Sequence, residues 1–333
     1  MSQGPDQETK ADDIAADGTL PIAEDVVLAE GVDEDPVEFN RRLPEGKKFY
    51  FIATLATLYA AFHMANLNGL SISGMTQGIV DLPFLPSFPV ETWNFRIIHV
   101  AGALALGFIL FSGSSFSEDK QGGKSILHWL SLALLAPALF ALGVALSFGV
   151  EISNGVMWNG IDAGIKFNET WLFGVPLLVA TIGAIVLSWF HRTQRETFSA
   201  PDFVMAVCGF AVAAYLIIIF GTLMRNSTGT PFAPIGMSIA AIAGTLLILE
   251  LTRRVAGYAL VVIAVVFLAY VFLAPSLPGI LNSPVITWQR FFSQIYTDAG
   301  ILGPTTAVSS TYIILFIIFA AFLQASKVGD YFV

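Results

Sequence analysis

The chain has 333 residues, of which 55% are hydrophobic and 12% are charged, about half the charged fraction of an ordinary soluble domain. A mean hydropathy of +0.73 is too apolar for a water-soluble fold of this length, because such a fold covers its core with charged residues. The composition therefore excludes a soluble enzyme, a nucleic-acid-binding protein and a disordered chain, and it predicts a multi-pass membrane protein.

The acidic residues are concentrated at the N-terminus. Residues 1–48 hold 13 of the 25 acidic and five of the 16 basic residues, and so carry −8 of the net charge of −9. Low hydrophobicity and high charge prevent hydrophobic collapse, so residues 1–46 are predicted to be a disordered acidic tail. The tail is interpreted as a solvated extension, with docking on a partner as the alternative.

Long stretches without charged residues follow the tail. A spanning helix needs about 20 mostly apolar residues, because each residue rises about 1.5 Å through a hydrocarbon core about 30 Å thick. The predicted fold is therefore all-α and polytopic, with about eight transmembrane helices. Their predicted ranges are 49–67, 96–113, 126–150, 171–190, 203–224, 232–251, 255–273 and 309–326.

The basic residues outside these helices predict the orientation. With a cytoplasmic N-terminus, and leaving out Lys10 of the tail, eleven Lys and Arg residues lie on the cytoplasmic side and four on the other side, namely Arg96, Lys166, Arg225 and Arg290. The positive-inside rule predicts this asymmetry, and one missed or invented helix would invert it further along the chain. Both ends of the sequence are therefore predicted to be cytoplasmic.

Two connections on the non-cytoplasmic side are long. Residues 68–95 contain three prolines and are predicted to form a packed irregular loop. Residues 274–308 place apolar side chains at helical spacing between Trp288 and Ile295, which predicts a short amphipathic helix. This helix lies either along the membrane interface or folded back onto the bundle, and the sequence favours neither. Small residues at every fourth position, Gly236 to Gly244, predict a close helix contact.

Ionisable residues within membrane helices are functional candidates by default. His63 and His99 lie near the non-cytoplasmic ends of the first two helices, and each is interpreted as a hydrogen-bonded interface residue. Glu250 precedes Arg253 and Arg254 by three and four residues, the spacing that brings side chains together on a helix. The three are predicted to form an exposed structural ion pair of at most about 1 kcal/mol at a cytoplasmic helix end, with a transport role for Glu250 as the alternative. No acidic residue is expected at mid-depth.

The residue patterns of enzymes and metal sites are absent from the sequence. The single cysteine, Cys208, permits neither an intrachain disulfide nor a cysteine metal site. No two of the four histidines are four residues apart, so the zinc-protease pair is absent. We therefore predict no catalytic residue and no metal ligand, and we do not expect an enzyme.

Residues 249–257 read L-E-L-T-R-R-V-A-G and closely resemble the L-E-A-T-R-R-V-V-G segment of fused TRAP transporter permeases. The likeness covers about the last 100 residues and continues through Tyr270, 277–279, 300–304, 309–312, 319–326 and 329–332. Lys327 departs from the family pattern, which favours glycine at that position.

These permeases belong to tripartite, ATP-independent, periplasmic-binding-protein-dependent transporters, and their small and large membrane subunits form one chain. The resemblance implies that residues 47–224 form the small-subunit-like part plus a linking helix, five helices in all. Residues 225–333 then begin the large-subunit-like part, with three helices and an interfacial helix. It further implies a secondary, cation-coupled importer of organic acids in the bacterial inner membrane, with sodium as the expected coupling ion.

The partners implied are a periplasmic solute-binding protein, the lipid bilayer and a small organic anion, but no nucleic acid. In this family the substrate and sodium sites lie in re-entrant hairpins of the large subunit, downstream of the Gly-Asp-Tyr-Phe region at 329–332. The resemblance therefore implies a scaffold role for a truncated N-terminal portion, with no substrate- or ion-binding residue and no cofactor besides the coupling sodium.

Two other classes stay open as alternatives. A permease of an ATP-driven importer needs a cytoplasmic loop that couples to an ATPase, and the predicted cytoplasmic loops have about 14 residues or fewer, near ordinary connection lengths. A membrane-embedded enzyme needs a cluster of carboxylates or histidines at one depth, and the sequence shows none.

Overall fold

The computed structural model describes residues 40–69, 90–116 and 126–327. Within these ranges the chain is helical and has no strand. Several predictions concern residues outside these ranges. These are the disorder of the acidic tail up to residue 39, most of the irregular loop, and the last segment of the TRAP-like pattern.

Eight of the described helices are long and apolar enough to cross a membrane. In chain order the helices are α1 (Lys47–Leu67), α2 (Thr92–Leu110), α3 (Ile126–Ser153), α4 (Ala163–Phe190), α5 (Ala200–Phe220), α6 (Ile235–Ala256), α7 (Tyr258–Ser276), the short α8 (Trp288–Ile295) and α9 (Pro304–Ala325). The chain is an all-α, multi-pass membrane protein, which confirms the predicted fold class.

Each spanning helix reverses the direction of the chain. The helices α1, α3, α5 and α7 therefore begin on one side of the membrane, which we name the tail side, and α2, α4, α6 and α9 begin on the opposite side. The helix α5 is central, because it packs against α2, α3, α4 and α6. The helices α7 and α9 are peripheral, since only 6% of the 18-residue apolar stretch of each helix is buried inside the protein.

Five spanning helices begin earlier than predicted, two of them by five residues or more. The helix α4 begins at Ala163 instead of 171, because Asp162 caps it by accepting a hydrogen bond from the Ile165 amide over 2.9 Å. The charge-free stretch behind the prediction starts directly after Glu169, whose side chain is buried inside the bundle. The helix α9 begins at Pro304 instead of 309. Both helices contain a π-helical turn, at Asn168–Gly174 and at Ser309–Ile313.

Other helix ends follow from proline and glycine. The helix α3 is interrupted at Leu134, because Pro137 has no N–H to donate to the carbonyl of Ala133. The helix α6 continues to Ala256, five residues beyond its predicted end. A single residue, Gly257 with φ +79°, then connects it to α7.

The short helix α8 is folded back onto α6, the second of its two predicted placements. Ser238 donates a hydrogen bond to the carbonyl of Gln289 over 2.7 Å, and the Gln289 amide donates to the carbonyl of Ala233 over 3.0 Å. The small residues of α6 allow close packing, as predicted. A Cβ at Gly236 would lie 2.3 Å from the Tyr215 hydroxyl, and one at Gly244 would lie 2.6 Å from the Tyr296 ring.

Candidate functional site: buried polar clusters

The three residues of the predicted ion pair belong to a larger cluster at the tail side. Glu250 Oε1 lies 2.8 Å from Arg253 Nη2 and 2.8 Å from Arg254 Nε. Arg254 also donates to Asp202 Oδ1 over 2.8 Å, and Asp202 Oδ2 accepts from Arg42. We name Arg42, Asp202, Glu250, Arg253 and Arg254 the charge cluster. It joins α5, α6 and the segment that precedes α1.

The expectation of an exposed pair is wrong. The exposed fractions of Glu250 and Arg254 are 4% and 1%, because neighbouring helices cover both side chains. Trp189 of α4 donates its indole N–H to Glu250 Oε2 over 3.1 Å, and Arg254 stacks over the ring of Phe108 of α2. A buried ion pair differs from an exposed one because removing one partner leaves the other charge unpaired away from water.

The positive charges of the cluster also satisfy the end of α2. Helices leave their last carbonyls without intrahelical partners, and these carbonyls carry partial negative charge. Arg42 Nη1 donates to the carbonyls of Phe108 and Ile109 over 3.0 Å each, and Arg254 Nη1 donates to that of Phe111 over 2.9 Å. Three arginines can therefore share two carboxylates, since the helix end accepts from Arg42 Nη1 and Arg254 Nη1; Arg42 Nε is buried without a hydrogen-bond partner.

Arg42 was assigned to the acidic tail, and that boundary at 46 is too late. The Arg42 amide donates to the carbonyl of Leu110 over 2.8 Å, and the Ser112 amide donates to the carbonyl of Asn40 over 2.9 Å. The chain is therefore folded against the end of α2 from residue 40 onward. Sequence reasoning counted Arg42 only as a topology signal. The acid in the first turn of α5, Asp202, was the available hint of a buried partner.

A third buried acidic residue lies near the opposite side, in the second turn of α4. Glu169 Oε1 accepts hydrogen bonds from Trp158 Nε1 over 2.8 Å and from the Tyr215 hydroxyl over 2.6 Å. Its Oε2 accepts from the Gly236 amide over 3.1 Å, in the first turn of α6. The free N–H groups and dipole of a helix N-terminus favour a carboxylate. Glu169 thus ties α4, α5, α6 and the α3–α4 connection together.

Sequence reasoning missed Glu169 because a charge was taken as the end of a helix. The signal that could have found it is the helix cap at Asp162, followed by apolar residues on both sides of the glutamate. The surroundings of Glu169 and Glu250 consist of N–H and O–H donors, whereas a cation needs several oxygen ligands. Among the described residues no group of three His, Cys, Asp or Glu could hold a metal ion. Both clusters are therefore best suited to holding helices together.

The two candidate histidines, treated separately in the sequence, are in contact. His63 Nε2 of α1 lies 2.8 Å from His99 Nδ1 of α2. The other two histidines also approach each other, at the tail side, where the ring centres of His128 and His191 are 5.9 Å apart.

A groove between α1, α2 and α5 measures about 710 Å³ and is lined almost entirely by apolar side chains. Its chemistry suits lipid hydrocarbon more than a polar solute.

Comparison of the chain with known protein families, curated proteins and solved structures found no match.

Proposed function

We propose that this chain is the membrane scaffold of a secondary, cation-coupled importer of the TRAP type. The observation that supports this most is the role of segment 249–257, which resembles the TRAP permeases. Three of its residues, Glu250, Arg253 and Arg254, build the charge cluster. A fourth, Gly257, makes the turn between α6 and α7 at a φ of +79°. The resemblance thus falls on residues that determine the geometry of this fold.

The other TRAP-like positions support the same reading. Gly279, in the Leu-Pro-Gly segment, has a φ of +66°, which favours glycine. A Cβ at Gly300 would lie 2.1 Å from the carbonyl oxygen of Ile295, and one at Gly303 would lie 2.6 Å from that of Asp298. Chance similarity in hydropathy alone would not select glycine at these sterically demanding turns.

In the proposed assembly the tail side is the cytoplasm and the membrane is the inner membrane of a bacterium. A periplasmic solute-binding protein delivers a small organic anion to the opposite side, and a sodium gradient drives its import. The described residues contribute by positioning helices: the charge cluster at the tail side and Glu169 near the opposite side tie four central helices together. No described residue is assigned to the substrate or to sodium.

Uptake by intact cells tests this proposal. A strain lacking the gene should lose uptake of an organic acid from a panel of radiolabelled carboxylates, and the wild-type gene should restore it. The uptake should follow an imposed sodium gradient and persist when arsenate depletes ATP. Complementation with Arg225→Ala, which removes only an exposed ion pair with Glu91, serves as the matched control and should restore uptake fully.

Three outcomes contradict the proposal. Uptake that stops on ATP depletion while the sodium gradient persists indicates a permease of an ATP-driven importer. Loss of a chemical conversion with unchanged uptake indicates a membrane-embedded enzyme. Unchanged uptake of every carboxylate in the deletion strain removes the organic-acid substrate class.

A further inference from the structure

His63 and His99 meet in the interior of the bundle, and all four ring nitrogens have partners. His63 Nε2 lies 2.8 Å from His99 Nδ1. His63 Nδ1 lies 2.8 Å from the carbonyl oxygen of Tyr59, and His99 Nε2 lies 3.1 Å from the hydroxyl of Ser309. The exposed fraction of His63 is 0% and that of His99 is 8%. The network joins α1, α2 and the π-helical turn of α9.

The partners determine where the protons lie in the neutral state. The Tyr59 carbonyl can only accept, so His63 Nδ1 carries a hydrogen. A neutral His63 must then accept at Nε2, and His99 Nδ1 therefore donates to it. The Tyr59 hydroxyl donates to the carbonyl of His99 over 2.8 Å and also lies 2.8 Å from His99 Nδ1, where it accepts a share of the same hydrogen. The one remaining lone pair is on His99 Nε2, which accepts from Ser309.

This arrangement has room for one more proton and not for two. A proton on His99 Nε2 leaves every hydrogen bond in place, because the Ser309 hydroxyl rotates from donor to acceptor. The positive charge is then shared with His63 across the 2.8 Å N–H···N bond. A second proton would place hydrogens on both facing nitrogens and two cations side by side. Interacting groups of this kind titrate as a pair and not as independent sites.

One ring of the pair borders an open groove. His99 and Ser309 line a mostly apolar groove of about 460 Å³ between α2, α6 and α9, whose lining also includes Thr252, Thr305 and Thr306. Tyr59 is the titratable group that faces the pair from α1, and Phe62 and Phe95 pack on His63 with ring centres 5.3 Å away. Among the described residues, no Asp or Glu lies within ion-pair distance of either ring. Ionisable groups inside a membrane commonly mark proton or ion pathways.

We propose that His63 and His99 form a single proton-binding site, which takes up one shared proton at His99 Nε2, on the side of the groove between α2, α6 and α9. The inference rests on the hydrogen-bond geometry and does not depend on the transport function proposed above. It predicts a stoichiometry that two independent histidines would not give.

Proton uptake by the purified chain in detergent tests the stoichiometry. The number of protons bound on acidification from about pH 8 to about pH 4, which spans the titration range of histidine, is measured for each protein. The number bound by the double variant His63→Gln/His99→Gln is then subtracted, which removes the contribution of all other titratable groups. The wild type, His63→Gln and His99→Gln should each bind about one proton more than the double variant. Two protons in the wild type and one in each single variant would overturn the shared site, and none in the wild type would overturn proton binding. The variant His128→Gln, at the tail side, is the control, and the pair should still take up one proton in it.

Nitrogen-15 NMR of histidine-labelled wild-type protein tests the same site without any substitution. At high pH both rings should show the hydrogen on Nδ1, and on acidification the two resonances should shift with one common midpoint. Separate midpoints, or a hydrogen on Nε2 of either ring at high pH, would overturn the assignment. Ser309→Ala should lower that midpoint by about one pH unit, because the charged ring loses its acceptor, whereas Ser309→Thr should leave it unchanged.

Discussion

Arg42 and Asp202 form an ion pair in which the exposed fractions of the two side chains are 1% and 2%. The two residues are 160 positions apart, one in the segment before α1 and the other in the first turn of α5. Asp202 also accepts from Arg254 of α6. This carboxylate therefore holds together three parts of the chain that are distant in sequence, and the start of the membrane domain is fixed by a buried charge.

Replacing Arg42 should destabilise the bundle strongly. Arg42→Ala leaves Asp202 with one partner and two carbonyls of α2 without donors, and loss of one partner of a buried ion pair costs about 3–5 kcal/mol. We expect a large drop in the thermal unfolding temperature in detergent. The matched control is Arg41→Ala, because the neighbouring side chain is exposed. Equal unfolding temperatures for the two variants would contradict the role of the charge cluster.

Replacing Glu169 by its neutral isostere should also reduce stability. All three groups around the carboxylate donate hydrogen bonds, and the Tyr215 hydroxyl is the only one that can also accept. In Glu169→Gln the amide N–H group faces the N–H of either Trp158 or Gly236, so one buried donor is left unsatisfied at about 1–3 kcal/mol. Thermal unfolding should show this loss, while Glu151→Gln at the partly exposed end of α3 should behave as wild type.

Two glycine-to-alanine substitutions should have opposite effects. In Gly236→Ala the new methyl group would lie 2.3 Å from the hydroxyl of Tyr215, which is fully buried and stacked on Phe173. Overpacking of this kind costs about 1–3 kcal/mol. A Cβ at Gly143 in α3 would meet no heavy atom within 4 Å apart from the backbone of its own helix. Gly143→Ala should therefore stabilise the helix by about 0.5–1 kcal/mol. Denaturation curves in detergent measure both, and similar shifts would refute the predicted contact.

Stability should fall at mildly acidic pH because of His191, which follows the last residue of α4. Burial lowers the pKa of His191 below its ordinary value of 6.5, and repulsion from His128 lowers it further. The unfolded chain therefore binds a proton more readily than the folded chain. The stabilising contribution is complete above pH 6.5 and is lost as the pH falls from there through the lowered pKa.

The variant His191→Gln should remove this part of the pH dependence and keep an acceptor for the Ser199 hydroxyl, which lies 3.1 Å from His191 Nδ1. Unfolding temperatures of the variant and the wild type, compared between about pH 5 and about pH 8, measure the effect. An unchanged pH slope in the variant would show that His191 does not contribute.

Reporter fusions test the topology. Fusions after Gly160 and after Gln194 flank α4, so a reporter active in one compartment should give opposite results at the two positions. The excess of Lys and Arg at the tail side further predicts that the second position is cytoplasmic. The same result at both positions would eliminate α4 as a spanning helix.

The helices and their number could be predicted from the sequence, because a membrane span is a local property of about 20 residues. The contact of Glu250 with Arg253 and Arg254 was also predictable, since it depends only on positions within one helix. The ion pairs of Asp202 with Arg254 and Arg42 were not predictable. Asp202 is 52 positions from Arg254 and 160 positions from Arg42, and no sequence periodicity links residues that far apart.

Charge itself concealed part of the candidate sites. The charge-free stretch that predicted α4 starts only after Glu169, although three donors from other elements make the burial of this residue possible. The histidine pair was partly visible: α1 ends and α2 begins on the same side, so His63 and His99 have similar depths. Their contact still required the packing of α1 against α2, which hydropathy does not encode.

The long sequence separation within the charge cluster has a consequence for biosynthesis. Arg42 precedes the described spanning helices in the chain, but its carboxylate partner is Asp202 and that carboxylate is completed by Arg254. The cluster is therefore complete only after α6 has been synthesised, and before then the end of α2 is the partner that Arg42 can already bind. A chain that places α5 or α6 wrongly leaves the ion pairs of Asp202 incomplete. Formation of both ion pairs therefore marks the joining of α5 and α6 to the segment before α1.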